Sequence, residues 1–206
     1  HDKPIIAWTI NAAIESNLFD NIIVSTDSNE IKEISIKYGA EVPFLRKKYC
    51  DDFSSSSLAT LETLNQCKSE LGLDFENVFQ LMPNCPLRTS REIISSFDFF
   101  SEKNAVSQIS CTDFGWLNPW WAIKLNKNNS GEPIFPEKFN QRSQDQKRLY
   151  GISGAVWIAK VEVLKKYKTF YCPNQIFYPI SWSSAFDIDT VDDLKVAKKI
   201  FKNMKK

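Results

Sequence analysis

The 206-residue chain predicts a three-layer α/β domain, a mostly parallel sheet with helices on both faces. Three observations carry that reading. Amphipathic segments alternate with short apolar runs over residues 4–110, and the joins between them are short. Those joins hold turn and stop residues such as Gly39, Gly72 and Pro83. The alternation then lapses over 111–150, where Trp116, Trp120 and Trp121 accompany Pro119, Pro133 and Pro136. We read 1–206 as a single domain carrying a β-rich inserted arm at 111–150.

The elements follow in order. Pro4 opens a helix whose apolar residues are Ile5, Ile6, Trp8, Ile10, Ala13, Ile14 and Leu18. Asn21–Ser25 is a short buried strand, and 29–38 a helix stopped by Gly39. Glu41–Leu45 is a further short strand. Arg46–Ser57 is a polar loop, and 58–71 a helix closed by Gly72. Val78–Leu81 is a strand running into Pro83 and Pro86, which forbid regular structure between them. Thr89 caps the next helix with Glu92 as its capping-box partner, and 105–110 is a strand. After the arm come a strand at 154–159, a helix at 161–167, strands at 176–180 and 186–189, and a helix from Thr190 to about Asn203.

Composition removes several classes of function. The net charge is +1, so no global basic field draws in nucleic acid. No apolar run has the length of a membrane span. Neither G-x-G-x-x-G nor a P-loop occurs. His1 is the only histidine, which removes the base of Ser-His-Asp and Cys-His mechanisms. Five cysteines, widely spaced and without C-x-x-C, read as reduced thiols of a cytoplasmic protein. Catalysis must then rest on carboxylates, hydroxyls, arginines and a metal ion.

The sharpest constellation is Asp187-Ile188-Asp189-Thr190. In a strand, residues i and i+2 share a face, so two carboxylates would stand together at a strand's carboxyl end. Such a pair suits Mg²⁺, which one or two carboxylates hold together with substrate phosphates. A structural reading competes, because Thr190 with Asp193 forms a capping box that a neighbouring aspartate could serve. Arg46 with Asp51, Asp52 and Ser54–Ser57 reads as an anion cradle ahead of a helix, or as a solvated loop with a capping serine. Met82–Arg88 is a rigid loop, either a pocket wall or a connector. Arg142 and Gln144, followed by Tyr150 and Gly154, combine a fixed positive charge with amide groups, which suits a carboxylated sugar. The tryptophans read as a sugar-stacking wall, a packed core or a subunit interface.

In this order the motifs resemble the acylneuraminate cytidylyltransferases, the CMP–sialic acid synthetases and their relatives acting on pseudaminic and legionaminic acids. The resemblance rests on Lys3–Ile10, Val24–Asp27, Arg46 with the Asp52/Ser55/Ser56 segment, Pro86-Leu87-Arg88, Arg142 and Gln144 with Gly154, and Phe186–Thr190. It implies a Rossmann-like nucleotide-diphospho-sugar transferase fold whose arm builds a homodimer. It implies CMP transfer from CTP to a nine-carbon α-keto sugar acid, with release of pyrophosphate. It places Arg46, Asp52, Ser55 and Ser56 at the nucleotide, with Gln80 and Asn84 beside them. Arg142, Gln144 and Tyr150 fall to the sugar acid. Asp187 and Asp189 hold the catalytic Mg²⁺ or Mn²⁺.

Two departures accompany the resemblance. The family opens with a strand and a basic loop ending in Lys-Asn that wraps the CTP phosphates, so that unit is expected upstream of His1. Met82 stands where the family carries a ligand-touching glutamine, and Gln80, on the same strand face, is the candidate substitute. A non-catalytic nucleotide-binding homologue, or a nucleotidyltransferase for another sugar, are the alternatives.

Overall fold

Pro4, with its fixed φ, leads into α1 (Ile5–Ser16), and Asn17 ends that helix in the left-handed conformation. In this computed structural model, residues 3–51 and 53–204 are described. Helix α2 (Asn29–Lys37) starts where the Ile31 N–H donates to the Ser28 hydroxyl. Helix α3 (Ser56–Leu71) starts likewise, Leu58 donating to Ser55, and ends at Gly72, whose φ of +70° suits glycine. Strand β1 (Asn77–Gln80) precedes α4 (Ser90–Glu102), which begins with the predicted Thr89–Glu92 capping box.

Strand β2 (Ser107–Asp113) leads into the arm. There β3 (Ile123–Leu125) pairs with β4 (Gly131–Pro133), followed by the single turn α5 (Pro136–Phe139). The chain returns as β5 (Tyr150–Lys160), α6 (Val161–Tyr167), β6 (Ile176–Pro179), α7 (Trp182–Ala185) and α8 (Val191–Met204).

The main sheet has the order β1-β5-β2-β6. It is mixed, which corrects the expectation of a mostly parallel sheet. β5 runs antiparallel to both β1 and β2, and only β2 and β6 are parallel. The arm is the reason. A parallel return needs a crossover, usually a helix packed across the sheet, whereas residues 114–149 carry only short turns and one small hairpin. Asp113 therefore faces Tyr150 directly, and the chain folds straight back on β2. The arm itself is less β-rich than its composition suggested, since its strands are three residues each.

Two further strands shrink. Asn21–Ser25 and Glu41–Leu45 meet only at the parallel bridge Ile23–Glu41, fixed by Val24 N–H to Glu41 C=O and Glu41 N–H to Ile22 C=O. Pro43 lacks the N–H that would extend the ladder. The expected strand 186–189 pairs with no strand among the described residues; its Ile188 N–H donates to the Asn84 C=O at 2.8 Å.

Alternation along β5 sorts the core into two layers. Val156 and Ile158 face α1 and α4, where Ala12, Ile93 and Phe100 pack. Trp157 and Ala159 face the other way, towards Leu64 of α3, Leu164 of α6 and Phe170. Full burial of such a side chain contributes about 1.5–3 kcal/mol. Gln108, also fully buried, donates its amide to the Ser96 C=O of α4 at 2.8 Å, while its Oε1 is buried without a partner among the described residues. Among the described residues no helix is long and apolar enough to cross a membrane.

Candidate active site

Because β1 and β2 both oppose β5, and β6 follows β2, the carboxyl ends of β1, β2 and β6 share one sheet edge with the amino end of β5. Open α/β sheets place ligands along such an edge. Gln80, Asn84 and Tyr150, three of the candidates, lie on it or just beyond it.

Next to this edge is a cavity of about 780 Å³, walled by residues of α1, α3, the extended stretch Asn21–Thr26 and the outer edge of β1. Two hydroxyl-centred networks line it. The Arg46 Nη1 donates to the Ser25 carbonyl and to the Ser25 hydroxyl, both at 3.0 Å, and Thr63 donates to that same hydroxyl at 2.6 Å. The Arg46 Nε is buried and unpartnered among the described residues. In the second network the Gln80 amide donates to the Ser56 hydroxyl at 3.2 Å, and Thr60 donates to the Gln80 carbonyl oxygen at 2.8 Å.

The serine run is ordered rather than a loose loop. Asp51 accepts from the Phe53 and Ser54 N–H groups and from the Ser54 hydroxyl, and those bonds, the Ser54 hydroxyl first, hold its carboxyl below the usual range. Ser55 caps α3, Ser56 binds Gln80, and Ser57 accepts from the Phe170 N–H. Asp52 lies outside the described residues.

The carboxylate pair sits elsewhere on the same edge. Asp187 and Asp189 are exposed on either side of half-buried Ile188, so the alternation expected of a strand survives although the strand does not. The cap is Thr190's. Its hydroxyl accepts from the Asp193 N–H at 3.2 Å, and Asp193 accepts from the Thr190 N–H at 2.8 Å. Those bonds hold the Asp193 carboxyl below its ordinary value. The Asp189 carboxylate takes no part in the cap and accepts from the Asn84 amide at 3.2 Å. Both carboxylates act on Cys85. Burial first, then Asp187 and Asp189, push its thiol up to about 11, against the pull of Arg88. No third metal-ligating side chain joins the pair among the described residues. Two carboxylates with free oxygens fit a Mg²⁺ or Mn²⁺ that completes its shell with water and phosphate.

Arg142 and Gln144 stand exposed on the arm. Arg142 forms a two-pronged pair with Asp145, Nε to Oδ2 at 2.9 Å and Nη2 to Oδ1 at 3.3 Å, which keeps the guanidinium charged. Tyr150 is half-exposed at the foot of β5. No hydrogen bond among the described residues links these three to the cavity or the carboxylates. Trp120 packs on Phe135 with centroids 5.1 Å apart and donates to the Lys147 C=O, while Trp116 is 85% exposed. Sequence reading overlooked Ser25, Thr60 and Thr63. The spacing 56, 60, 63 puts three hydroxyls on one face of α3, a stripe that helical periodicity could have revealed.

Residues 1–79 match the family described as cytidylyltransferase. The chain is 29% identical over 201 residues to the pseudaminic acid cytidylyltransferase of Campylobacter jejuni, covering 97% of this chain and 86% of the relative. The chain is thus similar to cytidylyltransferases over nearly its whole length. It is also 29% identical over 201 residues to the CMP-N,N'-diacetyllegionaminic acid synthase of Legionella pneumophila, covering 96% of this chain and 85% of that one. A CMP:2-keto-3-deoxy-manno-octonic acid synthetase solved with CTP superposes with a TM-score of 0.71 at 12% identity, over 98% of this chain and 89% of that one. The 4-diphosphocytidyl-2C-methyl-D-erythritol synthase of Anaerococcus prevotii gives 0.64 at 14%, over 96% and 89%. These structures share the α/β fold.

Proposed function

We propose that the protein transfers CMP from CTP to a nine-carbon α-keto sugar acid and releases pyrophosphate. The anomeric oxygen of the sugar bonds to the α-phosphorus. The bond from that phosphorus to the bridging oxygen breaks, its electron pair leaves with pyrophosphate, and the hydroxyl proton passes to solvent. The observation that carries the reading is Asp189, held by the Asn84 amide with exposed Asp187 two residues before it, on the sheet edge that also receives Gln80. Relatives named for pseudaminic and legionaminic acids point to the acceptor class.

Asp187 and Asp189 would hold a divalent cation, Mg²⁺ or Mn²⁺, which when bound offsets the charge that builds on the transferring phosphate. Arg46, kept in place by Ser25 and Thr63, would meet a phosphate oxygen. Ser56 and Gln80, held by Thr60, would orient the nucleotide alongside Ser55 and Asn84. Arg142, Gln144 and Tyr150 would meet the sugar acid, Arg142 exchanging Asp145 for the substrate carboxylate. A pyrophosphate-release assay, CTP against the other nucleoside triphosphates over a panel of keto sugar acids, tests the assignment. Release with CTP and a nine-carbon acid is the expected result. Equal release with any triphosphate, or none with any acid, overturns it.

A second copy of the chain is proposed to cover the arm, which exposes Trp116, Leu117, Leu125 and Ile134 together. Sedimentation showing only monomer at micromolar concentration overturns this. Five unpaired cysteines support a reducing compartment such as the cytoplasm.

A further inference from the structure

We propose that Arg88, buried out of reach of substrate, is the positioning residue for the Asp187/Asp189 pair; this rests on the metal reading of that pair. Arg88 is 2% exposed. Its Nη1 donates to two carbonyls on separate parts of the chain, Met82 at 3.3 Å and Ala155 of β5 at 2.5 Å. Its Nε and Nη2 are buried without partners among the described residues. Glu92, the nearby acid that acts on it through space, spends its own oxygens on Thr89 and Ser184. Burial lowers the Arg88 pKa to about 10, which leaves it charged at neutral pH.

An under-satisfied guanidinium is a poor way to fill a core, since apolar side chains of similar volume pack there with less desolvation. What it does that an apolar residue cannot is bind two carbonyls at once. The loop it spans, 82–88, has no helix or strand and is shaped by two turns, Cys85 N–H to Met82 C=O and Arg88 N–H to Cys85 C=O. Within it lies Asn84, whose carbonyl takes the Ile188 N–H and whose amide holds Asp189. The Met82 N–H also donates to the Gly154 C=O at 3.1 Å. Thus β5, Arg88, Asn84 and Asp189 form one chain of bonds, anchored in the sheet at Gly154 and Ala155. The far side of the carboxylate segment is tied down separately, Ser184 to Glu92 and Ser153 to the Ala185 C=O. Loss of the Arg88 fork would free the loop, and with it the side of the site that holds Asp189.

The test measures Mn²⁺ binding with CTP present, from the electron paramagnetic resonance of the free ion, for wild type, Arg88→Lys, Asn84→Ala and the double variant. Calorimetry of CTP without metal and urea denaturation run alongside. Arg88→Lys keeps the charge and loses the two-carbonyl fork. It is expected to weaken Mn²⁺ binding tenfold or more, and metal-free CTP affinity, which Asn84 of the same loop serves, by a clearly smaller factor. The double variant should be no weaker than the worse single one, because both act through one loop. Additive losses, or reduced stability with unchanged Mn²⁺ affinity, overturn the proposal. Should Arg88→Lys fail to fold, Gly154→Ala displaces Met82 without touching a charge, and unchanged Mn²⁺ affinity in that variant overturns it equally. Wild type that binds no Mn²⁺ overturns the metal reading itself. Wild type that binds it beside an unaffected Arg88→Lys overturns the positioning role alone.

Discussion

Asn84 donates its side-chain amide to Asp189 at 3.2 Å across 105 positions of sequence, so the loop after the edge strand holds a carboxylate that precedes the last helix. That contact separates the two roles open to Asp189. The helix cap belongs to Thr190 and Asp193, and the Asp189 carboxylate stays available for a cation. Asp189→Asn retains size and hydrogen bonding and removes only charge. Turnover should collapse with the melting temperature nearly unchanged. Activity across a Mg²⁺ titration, paired with thermal melts, checks this; full activity at limiting Mg²⁺ ends the metal assignment.

Arg142→Ala should raise the Michaelis constant for the sugar acid and leave that for CTP alone. A charge-assisted, two-pronged contact to a carboxylate contributes roughly 1.5–3 kcal/mol, or about one to two decades of affinity. Stability should barely move, because the Arg142–Asp145 pair is 71% and 55% exposed and such pairs contribute little. Separate Michaelis constants for the two substrates decide the point, and equal changes in both would count against a sugar site.

Gly154→Ala should destabilise the fold by about 1–3 kcal/mol, the usual cost of overpacking. A Cβ there would lie 2.5 Å from the Met82 sulfur and 3.1 Å from its Cγ, so Met82 must give way. Urea denaturation measures the loss. A companion Met82→Ala change, which empties that space, should recover part of it; no recovery would mean that Met82 is not the obstacle.

Cys85 should make the protein less stable at alkaline pH. Its folded thiol, at about 11, sits above its ordinary value of 9.0, so the native state keeps a proton that the unfolded chain releases. The contribution is fully present below about pH 9 and is lost as pH rises to about 11. Denaturant midpoints for wild type and Cys85→Ala over that range should converge as pH rises. At pH 8, alkylation of the native protein should reach exposed Cys50 well before buried Cys85.

The longer helices were legible because their signals are local, whereas the single turns α5 and α7 were not expected and α3 starts two residues before the expected 58. Ser28, Ser55 and the Thr89–Glu92 box mark three starts, Gly72 a stop, and each acts within one turn of itself. Order along the chain likewise identified Arg46, Gln80, Asn84 and the Asp187/Asp189 pair as candidates. Strand direction was not legible. β5 reverses because the arm supplies no crossover, a property of residues 114–149 taken as a whole, which period-2 patterning within a strand does not record.

What the sequence determined by itself is where the longer helices lie, that residues 2–206 offer no histidine, and which charged and amide residues are on hand. What only the tertiary structure decided is the use made of them. It set Ser25 and Thr63 behind Arg46, Thr60 behind Gln80, Asn84 against Asp189, and Arg88 between Met82 and Ala155. Except for the bond from Arg88 to Met82, these contacts join residues at least 20 positions apart, and such contacts depend on how sheet and helices pack rather than on any local preference. A hydroxyl stripe or a buried arginine reads as ordinary composition until the fold shows what it touches.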